Sequence, residues 1–267
     1  MENNRELALT QMRKSVQNLG SSTQKVGDTT LLRFLIARSM DPEKAAKLFV
    51  QWQKWRANMV PNGFISEAEI ADELGAKKIY LQGLSRNRGR PVMLIKARNH
   101  FPSKDQLQFK KFVVYLLDKT IARCFKSSFK SSKDMFRNLA LHLPFCSFKG
   151  REIGDEKLIA VLDLQSISYK NVDARGLITG FQFLQAYYPE RLAKLYILSM
   201  PWFFVGVWRM VSRFLEKATL EKVVIVSNED EKRDFMEEIG EEVLPEEYGG
   251  RAKLIPIQDV VLSPLDG

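Results

Sequence analysis

The stretch YYPERLAKLYILSMPWFFVGVWRMVSRFL, residues 187–215, changes rhythm partway along. Residues 195–199 form a short apolar run with side chains that suit a pleated sheet, and they read as a buried strand. From Trp202 to Leu215 the apolar positions cover most of a helical circumference, interrupted by Arg209, Ser212 and Arg213. A strand followed directly by a helix sets the class to α/β, and the flanking sequence repeats the alternation. Runs 92–97, 158–164 and 223–226 have the same strand character, while 105–125 and 174–187 carry helical spacing. Strands separated by helices imply a mainly parallel sheet flanked by helices.

Further towards the amino terminus the pattern is helical only. Residues 29–55 place apolar side chains three and four apart, broken at Asp41-Pro42, where Asp caps and Pro opens a second helix. Another helix is expected at about 2–18. After Pro61-Asn62-Gly63 comes a helical passage, then the polar loop SRNRGRP, 85–91, as a turn before a strand. The expected organisation is a helical subdomain over 1–62, an α/β domain over 63–255 and a tail over 256–267.

A chain of 267 residues with 45% hydrophobic and 27% charged residues buries a sizeable core. The longest nearly uncharged stretch, 195–208, contains Pro201 and is too short to cross a hydrocarbon layer of roughly 30 Å. The amino terminus is charged from its second residue and lacks the apolar centre of a secretory signal, so a cytoplasmic location is expected. Cys124 and Cys146 supply neither a disulfide framework nor a metal site and read as reduced core thiols.

Charge is unevenly spread. The net +9 hides a segment, Glu229 to Glu247, with ten acidic residues against Lys232 and Arg233; the rest of the chain carries +17. Between Lys96 and Arg151, thirteen Lys and Arg face only Asp105, Asp118 and Asp134. Such a face suits an anionic membrane leaflet, at about 1 kcal/mol per basic residue, or a nucleic-acid backbone. The aromatics lie within apolar runs instead of alternating with Lys and Arg, which argues against nucleic acid.

Neither phosphate-cradling glycine pattern follows any of the strands, and there is no Gly-x-Ser-x-Gly turn. The two histidines, His100 and His142, belong to no recognisable triad or ligand set and read as structural or surface residues. No enzyme activity, cofactor or metal is expected.

Several blocks together carry a family resemblance: LLRFLIARSMDPEKA (31–45) with Trp55-Arg56, RGRPV (88–92), VLDLQSIS (161–168), YYPERLAKLYILSMP (187–201), TLEKVVIV (219–226) and LPEEYGG (244–250). In this order they resemble the CRAL-TRIO family, whose best-known members are phosphatidylinositol transfer proteins of the secretory pathway. The resemblance implies a helical tripod before a lipid cavity floored by the sheet and covered by a mobile helix. It implies a soluble monomer that carries phosphatidylinositol or another phospholipid, exchanges it at anionic membranes and presents it to lipid kinases.

The family's inositol-phosphate constellation falls on Arg38, Glu190, Thr219 and Lys222. Arg38 and Lys222 would meet phosphate, Thr219 would donate a hydroxyl hydrogen bond, and Glu190 would orient Lys222 or accept from the ligand. Each has a purely structural alternative: Glu190 could pair with Arg191 or Lys194, and Arg38 could cap the helix ending near Ser39. The covering helix falls on 202–215, with Trp202, Phe203, Phe204, Val207, Trp208, Val211 and Phe214 as gate and membrane-contact residues. Pro201 and Gly206 suit a hinge there, although a helix so apolar also reads as plain core. Acyl chains would lie against Leu158, Ala160 and Leu162. Leu158 and Ala160 stand where yeast-type relatives place a Ser and a Thr that help bind phosphatidylcholine, and Gln82 stands where a Tyr is expected, so a second ligand would be a sterol or another apolar molecule. A reading from another class is a lipid-sensing regulatory module whose acidic 229–247 segment docks a partner.

Overall fold

The computed structural model describes residues 2–123 and 156–260. Cys124, His142, Cys146, much of the basic stretch and the last two residues of the helix expected at 105–125 lie outside the described residues. The chain opens with three helices: α1 (Glu2–Asn18), α2 (Asp28–Ile36) and α3 (Pro42–Met59). Asp41 caps α3, accepting from the backbone N–H of Glu43 and Lys44 at 3.1 and 3.0 Å, and Pro42 occupies its first turn. Met12, Val16, Leu31, Phe34, Leu35 and Phe49 form a core belonging to this bundle, with Phe34 edge-on to Phe49.

The sheet has the order β1-β2-β3-β4-β5, from β1 (Ile79–Leu84), β2 (Pro91–Lys96), β3 (Leu158–Asp163), β4 (Leu192–Leu198) and β5 (Val223–Val226). The last four are parallel; β1 runs antiparallel to β2 across the SRNRGR turn. Strand β1 is absent from the sequence expectation. Its only long apolar run is Ile79-Tyr80-Leu81, followed at once by Gln82 and Gly83, which is too little alternation to identify a strand. Strand β4 also begins three residues earlier than its apolar run.

Period-two alternation gives the sheet two faces. Tyr80, Val92, Leu94, Ile159, Val161 and Tyr196 pack against Phe235 and Ile239 of α9 (Glu229–Ile239). Met93, Leu158, Ala160, Leu162, Leu195 and Ile197 face α5 (Gln106–Arg123), α6 (Ala174–Tyr187) and α7 (Trp202–Ser212). The remaining short helices are α4 (Ala71–Gly75) and α8 (Lys217–Leu220).

The blocks that carry the family resemblance turn out to be joints. Trp55 stacks on Tyr187 with ring centroids 3.8 Å apart and planes within 4°. Arg56 pairs with Asp118 at 2.7 Å, and Asp118 also accepts the Tyr188 hydroxyl at 2.7 Å. Burial pushes the Tyr188 phenol far above its ordinary value, and the Asp118 charge adds to the push. Arg33 and Arg191 both bind the buried Glu156 carboxylate, which ties the helical bundle to the start of β3. In LPEEYGG, Glu247 binds Lys96 at 2.5 Å and the Tyr248 hydroxyl donates to Asp163 at 2.6 Å, so the block clamps the carboxyl ends of β2 and β3. Gly249 has φ of 85°, and a Cβ on Gly250 would lie 1.9 Å from the Leu244 carbonyl oxygen, so neither position accepts a side chain without rebuilding the turn.

Residues 256–260, expected as the start of a tail, are packed. Ile257 is 1% exposed, and the Leu81 backbone N–H donates to the Ile255 carbonyl at 2.9 Å. The buried Gln82 amide faces the Lys253 carbonyl and the Ile255 N–H, so its polar ends serve this segment.

Candidate lipid cavity and headgroup site

A cavity of about 170 Å³ lies between the inner face of the sheet and helices α5, α6 and α7. Most of its wall is apolar: Met93, Ala160, Leu162, Phe112, Leu177 and Phe204 are representative. An apolar void of roughly 150 Å³ takes a ligand the size of benzene. As bounded by the described residues, this space therefore takes part of one acyl chain, and a two-chain lipid requires its walls to separate. Of the three residues expected at the acyl chains, Ala160 and Leu162 line the cavity. Leu158 sits on the same face of β3, 1% exposed, packed into the core beyond the lining.

Helix α7 is apolar on two opposite faces. Phe204 and Val211 turn inward at 3% and 0% exposure, and Phe204 closes one side of the cavity. Val207 and Trp208 are half-buried, with Trp208 beside Phe181 at 6.1 Å. Trp202, Val205 and Met210 face outward, with Trp202 81% exposed, and Phe214 is exposed just beyond the helix end. Phe203 rests on Tyr169 at 4.6 Å, so the exposed apolar surface continues onto the loop after β3, a contribution the sequence reading missed. Both open sides of a helix being apolar is unlike a surface helix of a soluble domain and unlike a buried one.

Of the four residues expected at the headgroup, Glu190 and Lys222 lie at the amino ends of parallel strands, Thr219 on α8 and Arg38 just after α2, and none of them is among the cavity lining. Glu190 precedes β4 and Lys222 precedes β5; the Lys222 ammonium is 3.6 Å from the Glu190 carboxylate. Lys157, immediately before β3, donates to the other Glu190 oxygen at 2.6 Å. The neighbours considered as alternative partners are engaged elsewhere: Arg191 binds Glu156, and Lys194 binds Glu238 at 3.0 Å. Burial alone would raise the Glu190 carboxyl, but the Lys157 hydrogen bond and the two ammonium charges outweigh it and hold the group below its ordinary value.

Thr219 lies on α8, and its carbonyl accepts the Lys222 backbone N–H at 3.1 Å. Glu216, the residue before α8, lies 3.8 Å from the Arg38 guanidinium. Arg38 also donates to the adjacent Ala37 carbonyl at 2.8 Å, at the end of α2, close to the capping role considered for it. The structure thus joins Glu190 to Lys222 directly and reaches Arg38 and Thr219 through α8. It adds Lys157 and Glu216, which sequence alone did not single out; a basic residue one position before a strand, 33 residues from its partner, leaves no local pattern. Among the described residues no helix is long and apolar enough to cross a membrane, and no group of three His, Cys, Asp or Glu is placed to hold a metal ion.

Residues 75–250 match the family model of the CRAL/TRIO domain. A CRAL-TRIO domain-containing protein of Saccharomyces cerevisiae is 29% identical over 243 residues, covering 86% of this chain and 73% of its own. The Sec14 cytosolic factor of Schizosaccharomyces pombe is 26% identical, covering 95% and 84%. A phosphatidylinositol/phosphatidylcholine transfer protein of Arabidopsis thaliana is 28% identical over 82% of this chain and 39% of its own length. Among solved structures, that of Sfh5 superposes with a TM-score of 0.57 over 99% of this chain and 94% of that one, at 14% identity, a likeness of fold.

Proposed function

The chain belongs to the CRAL/TRIO domain family, and from that premise we propose that it binds phosphatidylinositol and transfers it between membranes. The observation that carries the reading is helix α7: one apolar face closes an apolar cavity through Phe204, while the other presents Trp202 to solvent. A helix of that kind exchanges one apolar environment for another when it swings into a bilayer interface, so opening is favoured at a membrane and disfavoured in water. Each acyl methylene that then enters the cavity contributes about 0.8 kcal/mol, which supplies most of the holding energy.

Selectivity falls to the amino-end cluster. Lys157 and Lys222 are held on either side of Glu190, a spacing that lets a phosphate take up ammonium hydrogen bonds while the carboxylate turns to inositol hydroxyls. Arg38 adds a second cationic donor and Thr219 a hydroxyl. Glu216, already near Arg38, would be displaced by the incoming phosphate. Presentation of the bound lipid to a lipid kinase is a further part of this reading, as are the monomeric state and transient membrane residence.

Mass spectrometry of lipids extracted from the purified protein tests it first. Phosphatidylinositol at close to one per chain is the expected result; a different lipid class would overturn the headgroup assignment. A second measurement addresses the gate: Trp202→Asp should lower vesicle binding by about ten- to a hundredfold, since an aromatic side chain entering the interface gains roughly 1.5–3 kcal/mol, and unchanged binding would place the membrane contact elsewhere.

A further inference from the structure

The chain leaves α7 through residues 213–216, and Glu216 is where that exit is tied down. Its backbone N–H donates to Gln185 Oε1 of α6 at 2.8 Å, and Gln185 Nε2 reaches the Phe214 carbonyl at 3.4 Å. Its carbonyl accepts from the N–H groups of Thr219 and Leu220 at 2.9 and 3.0 Å, which starts α8. Its carboxylate lies 3.8 Å from the Arg38 guanidinium, just after α2. Leu215, one residue earlier, is buried in the core beneath the sheet. One residue therefore joins the exit of α7 to α6, to α8 and to the helical bundle.

These ties differ in kind. The bonds to Gln185 and within α8 are neutral contacts of the protein with itself, and a dissolved ion does not compete for them. The Arg38 contact is an ion pair longer than a direct hydrogen bond, between side chains 26% and 53% exposed. Such a pair adds little to stability and exchanges easily. Charge and shape decide what replaces it. Arg38 Nη1 also donates to the Ala37 carbonyl, and the guanidinium has further N–H groups in its fork. A phosphate matches that fork through two oxygens at once, whereas Glu216 meets it at a distance through one. Phosphate is the stronger partner, and once it sits on Arg38 its charge repels the Glu216 carboxylate.

We propose that Glu216 is a latch coupling the headgroup site to α7. In the empty site its carboxylate stands in for phosphate on Arg38 and holds the exit of α7 in place. A headgroup phosphate arriving at Arg38 removes that tie and leaves the exit held by neutral contacts. The lid is then loosened by the kind of ligand it is to admit, and a phospholipid surface opens it more readily than water does. This rests on the reading of Arg38 as a phosphate contact and of α7 as the gate, and the test separates the two.

Hydrogen–deuterium exchange of the backbone amides of α7, Trp202–Ser212, reads the latch in the full chain freed of lipid. Glu216→Gln and Arg38→Gln should each speed exchange there by about two- to fivefold, the range of a half-exposed ion pair. The double variant should be no faster than either single one, because both remove the same contact. Glycerophosphoinositol, the headgroup without acyl chains, should speed exchange of α7 in the unmodified protein and leave the Glu216→Gln variant unchanged. Gln185→Ala should raise the starting rate and keep the response, since its bonds are separate from the ion pair. Unaltered exchange in both single variants, or effects of the two that add, would overturn the latch. So would glycerophosphoinositol that binds by calorimetry yet leaves α7 as it was. Absence of binding would instead overturn the headgroup reading and the phosphate trigger, while coupled effects of the two variants would still establish the tie.

Discussion

The two ends of the parallel sheet hold similar charges in opposite ways. At the amino end, Lys157, Glu190 and Lys222 meet at 17–24% side-chain exposure, with two cations sharing one carboxylate. At the carboxyl end, Lys78 and Glu73 are 4–6% exposed and each depends on the other. Partial exposure lets a member of the first cluster exchange a partner for water at little cost. Full burial makes the second a fixed part of the structure. The first cluster is thus half-buried with two cations on one carboxylate, and the second is a buried one-to-one pair.

That contrast can be broken by mutation. Lys78→Met alone leaves Glu73 buried without its cation and should cost about 3–5 kcal/mol in urea unfolding; a loss near that of a surface pair would mean that water reaches the carboxyl end. Lys222→Ala should cost less than about 1 kcal/mol, because Lys157 still pairs with Glu190, yet it should reduce phosphatidylinositol transfer by about tenfold through the lost charged hydrogen bond. Equal effects of the two variants on stability would erase the distinction.

Acid sharpens it. Asp173 and Glu190 both have folded-state pKa values below their ordinary ones. Their stabilisation is therefore fully present above the ordinary carboxylate range and is lost as pH falls through the lower, folded values. Unfolding free energy measured downward from about pH 6 should decline, and Asp173→Asn or Glu190→Gln should each flatten that decline. The smallest expected effect is in α7. A Cβ on Gly206 meets nothing within 4 Å, so Gly206→Ala should stabilise α7 by up to about 1 kcal/mol and slow lipid exchange if the helix must flex there.

What the sequence revealed follows from where residues are forced to be. YYPER and LPEEYGG are recognisable because Tyr187, Tyr188, Arg191, Glu247 and Tyr248 are joints between layers, each with a specific partner. The parallel strands are legible because β3 is buried along its whole length and β2 almost so. Strand β1 was not, since Gln82 and Gly83 interrupt its apolar run and its pairing with β2 is what makes it a strand. The residues expected at a headgroup stand out only through a resemblance. Lys157, Glu190 and Lys222 are far apart in the chain and meet because three parallel strands start side by side. The carboxyl-end cluster was hidden for a like reason: His100 and Asp173 are 73 residues apart, and a histidine outside any motif reads as structural.

One further consequence belongs to the segment that folds back over β1. A bare outer strand offers unpaired N–H and C=O groups on which another chain can build. Here Ile255 takes the Leu81 N–H, Pro256 bridges Tyr80 and the Gln82 amide faces the same backbone, with a proline at the point of contact that cannot itself extend a ladder. The molecule thereby keeps the β1 edge of its sheet from growing sideways. That protection matters because α7 leaves aromatic surface uncovered, and copies drawn together by those patches find the β1 margin already occupied.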